Sequence, residues 1–234
     1  MGAIFRREVK SYFTSPIGYI FLAAFYAYAG IMFSIYSLQS GYTKLDNLFS
    51  SLLIILVVII PILTMRTIAD EKRTKTDQCL LTAPVSLTGI VLGKFFAAFL
   101  IYLIGMAITV VFAVVVSVFG SPDWNVIVGN IVALALLGGA YISIGIFCSS
   151  LTENQVVSAV VSFICLLAVS FFSTLGSLIP FDWVQTAAKK ISFGERYYSF
   201  TSGVFDFSNV IFFLSAIAAF LFLTVRVLEK RRWD

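Results

Sequence analysis

The sequence predicts an all-α membrane protein: six transmembrane helices, an N-terminal interfacial helix, a cytoplasmic helix between the second and third spans, and short extracellular interfacial or re-entrant helices between the fifth and sixth. Three observations predict it. Of 234 residues, 60% are hydrophobic and only 12% charged, against about a quarter charged in soluble domains. The mean hydropathy is +1.00. Uncharged windows at 11–43, 47–65, 95–122, 124–152, 154–181 and 207–225 can each hold the roughly 20 apolar residues that cross a bilayer as a helix.

We treat 1–234 as a single transmembrane domain. Residues 3–15 come first. On a helix, Phe5, Val9, Tyr12 and Phe13 form one apolar stripe with Arg6, Arg7 and Lys10 beside it. Such a segment lies flat on a membrane face, and Pro16 then marks an elbow. Trimming the windows places spans at 17–38, 47–65, 95–119, 125–149, 155–179 and 208–226. Thr43-x-x-Asp46 and Thr152-x-x-Gln155 have capping-box spacing before the second and fifth. Ser121-Pro122-Asp123 suits the start of the fourth, and Ser208-Asn209 that of the sixth. Buried in lipid, these runs can satisfy their amides only as helices. The uncharged stretch 78–93, with Pro84, Ser86, Thr88 and Gly89, is set aside as too short and too polar to span. Ala27-Tyr28-Ala29 has signal-cleavage spacing. The polar and amphipathic stretch ahead of it, and the apolar run continuing past it, argue against cleavage.

Six spans put both termini on one side. That side carries Arg6, Arg7, Lys10, Arg66, Lys72, Arg73, Lys75, Lys94, Arg226, Lys230, Arg231 and Arg232. The other carries Lys44, Lys189, Lys190 and Arg196. The positive-inside rule makes the richer side cytoplasmic. The longest cytoplasmic segment is 66–94. Thr67-x-x-Asp70 has capping-box spacing, and Asp70 and Glu71 precede Lys72, Arg73 and Lys75, an order that suits a helix dipole. One helix over about 68–81 is expected, anchored by Cys79, Leu80 and Leu81 and stopped by Pro84. The outer connector, 180–207, mixes aromatics with scattered charge, as interfacial segments do. Ser192-x-x-Glu195 can cap a helix there.

Chemistry is sparse. There is no histidine, which removes histidine bases and histidine-ligated metals. Cys79, Cys148 and Cys165 lie far apart and read as small hydrophobes. No metal site is expected. Gly89-Ile-Val-Leu-Gly93-Lys94 is one residue short of a nucleotide-binding loop and lacks its Ser/Thr. No carboxylate pair or nucleophile elbow falls in a span, so the chain is not expected to be an enzyme. The span interiors hold no Asp, Glu or Lys, which weighs against proton- or ion-coupled transport. Mild polarity remains, and Ser34, Asn130, Ser162 and Ser173 are candidates for a substrate path. Gly105, Gly138, Gly139 and Gly145 suit close helix packing.

Arg7-Glu8-x-Lys10-x-Tyr12-Phe13-x-Ser15-Pro16-x-x-Tyr19 resembles the amino-terminal signature of ABC-2 type permeases. Ala69-Asp70-Glu71-Lys72-Arg73, then Leu80-Leu81-Thr82-Ala83-Pro84-Val85-Ser86 and Val91-Leu92-Gly93-Lys94, resembles the loop between their second and third helices. The closest flavour is the subgroup of gliding-motility and nitrous-oxide-reductase-maturation permeases. One departure is visible. The family often has Gly-Thr and then Glu two residues on; here Lys75-Thr76 and Gln78 stand there. The resemblance implies the transmembrane subunit of an ABC transporter, usually an exporter, in a bacterial plasma membrane. It also implies a partner ATP-binding cassette subunit that holds ATP and Mg, and a second permease copy or paralogue. Membrane lipids surround the assembly, and no nucleic acid is involved. By the same resemblance residues 70–81 form the coupling helix, with Asp70, Glu71, Lys72, Arg73, Lys75, Gln78, Leu80 and Leu81 toward the ATPase. Phe5, Arg6, Arg7, Lys10, Tyr12 and Phe13 belong to the elbow helix. A gradient-driven transporter or channel, and a non-transporting anchor for an envelope machine, are the alternatives.

Overall fold

A computed structural model describes residues 1–39, 45–76, 86–120, 123–177, 185, 191–201 and 206–233. Every regular element among them is a helix. Helix α1, Gly2–Thr14, ends at Ser15, which is extended. Its hydroxyl accepts from the Ile17 amide, with Pro16 as the first residue of α2, Pro16–Phe33. The elbow therefore follows from a cap and a proline in sequence. Helix α2 continues into a π-helical turn, Ser34–Gln39. Helix α3, Asp46–Thr64, returns to the starting end. Four turn residues follow, and then the short α4, Ala69–Arg73.

Helix α5 runs Leu87–Phe119. Ser86 caps it by accepting from the Gly89 amide at 3.2 Å. The expected third span began at 95, so part of the stretch set aside as non-spanning is the first two turns of this helix. At 33 residues and about 1.5 Å each it is near 50 Å long, well beyond the roughly 30 Å hydrocarbon layer. Where α1 crosses it, Gly93 leaves room: a Cβ there would sit 3.1 Å from the Ile4 side chain. Helix α6, Trp124–Leu151, comes back.

The fifth span, expected over 155–179, is divided. Helix α7 is Gln155–Ser170; the backbone departs from helical geometry at Phe171, and α8 is Phe172–Ser177. The 16 residues of α7 rise only about 24 Å, so five helices are long and apolar enough to cross and α7 is a shorter sixth. Helix α9, Phe193–Thr201, lies at the far end, and α10, Phe207–Trp233, completes the bundle.

Two expected capping boxes are not made, and the expected cap of α10 moves from Ser208-Asn209 to Asp206. Asn154, not Thr152, caps α7. Asp206 accepts from the Ser208 amide at the start of α10. The Thr67 hydroxyl turns back to the Thr64 carbonyl. Thr43 lies outside the described residues.

Helices α3 and α6 are the inner pair, with α6 touching α3, α5, α7, α9 and α10. In lipid such contacts depend on close fit rather than on water expulsion. Small residues supply it: a Cβ on Gly138 would fall 2.2 Å from the Tyr102 ring, and one on Gly145 2.2 Å from Thr64 Oγ1. The Tyr102 hydroxyl donates to the Leu134 carbonyl at 2.6 Å. Helix α9 reaches inward from the far end: Phe193 stacks on Tyr141, only ten residues and about 15 Å before the near end of α6. Tyr197 donates to the Phe49 carbonyl at 2.8 Å. Gly194 passes so near α7 that a Cβ would meet the Ser170 carbonyl at 2.6 Å. Helix α9 thus dips into the bundle.

Candidate functional site

Polar side chains gather where α1, α4, α5 and the α6–α7 turn meet. Lys94 is only 1% exposed, eight residues into an apolar helix. A buried ammonium demands anions and acceptors, and three stand around it. Glu8 of α1 lies at 3.0 Å and Glu71 of α4 at 2.9 Å, while the Thr67 carbonyl accepts at 2.8 Å. Arg7 closes the figure from outside, 2.5 Å from Glu71 and 3.5 Å from Glu8. The result is a ring of two cations and two anions drawn from three helices. It is electrically neutral, so little long-range field leaves it. Its desolvation cost offsets much of its Coulomb gain; what it secures is the relative position of α1, α4 and α5.

A second cluster centres on Asp70. Arg66 and Arg73 each lie at 3.1 Å, and the Gln155 amide donates to the same carboxylate from α7. Burial by itself would raise this carboxyl. The hydrogen bond and charge of Arg66, the charge of Arg73 and the bond from Gln155 together hold it below the usual carboxylate range. Lys72 is buried and donates to the Ser150 carbonyl. The Ser149 hydroxyl accepts from the Ile68 and Ala69 amides at 3.2 and 3.1 Å and donates to the Met65 carbonyl. Helix α4 is therefore capped by a side chain from α6 rather than by its own Thr67.

The other end of α4 closes in a Schellman motif. Thr76 N donates to Glu71 O at 3.0 Å and Lys75 N to Lys72 O at 3.2 Å, with Lys75 at a φ of 57°. The helix expected over 68–81 therefore stops at Arg73 and turns; Gln78, Leu80, Leu81 and Pro84 lie outside the described residues. Tyr12 is buried and donates to the Leu63 carbonyl at 3.2 Å. Burial pushes its phenol well above the ordinary range, so it stays a neutral donor. Between α1 and the α3–α4 turn lies a cavity of about 220 Å³, bordered by Arg7, Glu8, Ser11, Arg66, Thr74 and Thr76.

Of the residues expected to face a partner, Lys72 is buried and Asp70 and Glu71 are partly buried, paired with Arg66, Arg73, Arg7 and Lys94. Arg73 and Lys75 point outward, as do Arg6, Arg7 and Lys10. Phe5 is half-buried, and Phe13 leaves the stripe to meet the Tyr19 ring edge-on. Sequence reasoning missed Glu8, Lys94 and Ser149 as site residues, and read Gln155 only as a cap. The available signal was Ser86 followed by Leu87, Ile90 and Val91, a cap and helical spacing that carry Lys94 into the helix. The proposed path residues are not joined by any hydrogen bond among the described residues. Asn130 is buried without a hydrogen-bond partner there, Ser162 lies beside the Cys148 thiol, Ser173 donates to Glu195 at 3.0 Å, and Ser34 opens the π turn.

At this end of the bundle Arg231 also reaches Glu153 at 3.0 Å, so α1 and the last turns of α10 share one face. A family model described as ABC-2 family transporter protein matches residues 17–233. None of the curated proteins compared with the chain matches it.

Proposed function

The chain belongs to the ABC-2 transporter family and is a transmembrane component of an ABC transporter; from that premise we propose that it is an export permease driven by a separate ATP-binding subunit. The face formed by α1, α4 and the α6–α7 turn is the docking surface, and it lies in the cytoplasm of a bacterial cell. ATP and Mg are held on the partner, and a second copy or paralogue completes the transporter. The observation that carries this reading is the joining of α4 to α1 and α5 through the four-charge ring. A push on α4 then has nowhere to dissipate locally. It moves α1 and α5 as one rigid group, the kind of step by which interface rearrangement becomes helix motion.

The test is ATP hydrolysis by complexes purified through a tag on this chain. The chain alone should hydrolyse no ATP, the complex should, and a cysteine in place of Lys75 should cross-link to the ATP-binding subunit. If the chain alone moves a solute on a proton or sodium gradient, the reading fails.

A further inference from the structure

Every carboxylate among the described residues of α1 and α4 is turned inward and paired. Glu8, Asp70 and Glu71 have side chains 13%, 23% and 14% exposed. Of the cations on these two helices and the turn after α4, Lys72 is buried, but the rest are arranged the other way. Arg7 and Arg73 are 57% and 63% exposed, and Arg6, Lys10 and Lys75 are exposed with no acidic partner among the described residues. Elsewhere at this end, Glu153 and Glu229 are matched by Arg231 and Arg226 of α10. Among the described residues, the exposed charges of α1, α4 and the turn after it are therefore cationic, beside a cavity whose lining holds the paired Glu8, Asp70 and Glu71.

Two facts separate this surface from an ordinary cytoplasmic flank. First, α4 is bonded to α1, α5, α6 and α7. It sits beneath the middle of the bundle, whereas lipid headgroups surround its circumference. Second, Lys75 occupies the left-handed position of the Schellman turn. A residue with a Cβ is disfavoured there relative to glycine, so a lysine at this place keeps a cation against a conformational penalty.

Accepting that the ATP-binding subunit docks here, we propose that its receiving groove is acidic, with surplus carboxylates facing Arg7, Lys10, Arg73 and Lys75. Charge complementarity of this kind governs partner choice and association rate more than raw affinity. This permease would accordingly reject ATP-binding subunits whose groove is neutral or basic.

The experiment measures ATP-binding subunit retained by the tagged permease in neutral-lipid nanodiscs, from about 0.05 to 0.5 M NaCl, a range over which the screening length shortens severalfold. Lys75→Glu and Lys10→Glu carry the charge test, with Lys75→Gln as the neutral control. None of these residues belongs to the ring. Retention by the unaltered chain should fall with salt. Each reversal should weaken it about tenfold at low salt, the neutral change about threefold. Changing the cross-linked acidic residue of the partner to lysine should restore Lys75→Glu. Equal retention by all variants at all salt concentrations overturns the acidic groove while leaving the docking intact. Reversals that spare retention but abolish binding to phosphatidylglycerol vesicles overturn it in favour of lipid. If the unaltered chain retains no ATP-binding subunit, the proposed function itself is lost.

Discussion

At the scale of single residues, Lys94 has the largest predicted effect. Lys94→Met leaves Glu8 and Glu71 with only Arg7 between them, and removing one partner of a buried ionic group costs about 3 kcal/mol. Thermal unfolding in detergent should show it, and Lys94→Arg should recover most of the loss. A change indistinguishable from zero would mean that water reaches the ring. Asp70 makes a pH prediction. Its carboxyl is held below the ordinary value, so its contribution is fully present above about pH 4 and fades as pH falls through the lower folded value. Asp70→Asn should remove that part of the acid destabilisation; an unchanged acid limb in the variant would contradict the assignment. The charges of both residues are plain in the sequence. What was not legible is that Lys94, counted as a topological flank, is the most buried cation at the site, because its burial depends on α1 folding back across α5.

At the scale of elements, α4 shows how local signals are overridden. Capping-box spacing at Thr67 and a favourable charge order suggested a longer helix. Ser149 supplies the cap from another helix, and the turn at Lys75 ends the run. Lys75→Gly should stabilise that turn by about 1 kcal/mol. Hydrogen exchange at the Thr76 amide should then slow about fivefold, and equal exchange would mean that the left-handed turn is not held in solution. The pairing of α3 with α6 rests on Gly145 against Thr64. Gly145→Ala should destabilise by about 1–3 kcal/mol through overpacking, and Thr64→Gly in the same chain should recover part of it. Failure of the second change to compensate would place the strain elsewhere. The long α5 and the divided α7 escaped the sequence for opposite reasons. The first two turns of α5 are polar enough to read as loop, while the break at Phe171 falls inside an uninterrupted apolar run.

At the scale of the whole molecule, the five long helices and the shorter α7 alternate so that the ring, the Asp70 cluster and the Glu153–Arg231 pair meet at one end, and α9 with the start of α10 at the other. Site-directed labelling checks the orientation. With the native cysteines removed, a single cysteine replacing Lys75 should react with an impermeant thiol reagent only from the cytosolic side. One replacing Tyr198, exposed at the opposite end, should react only from outside. Reversed labelling would invert the arrangement and remove the face from any cytosolic ATPase.

The sequence by itself determined the membrane class, the apolar passes and the concentration of cations at one end. Those follow from composition and charge, which act on a segment whatever its neighbours are. Tertiary structure alone decided which charges face inward. Glu8, Glu71 and Lys94 become a single unit only because three helices cross at one point. A buried charge must find its partner within about 4 Å, and no one-dimensional pattern records a distance between residues 8, 71 and 94.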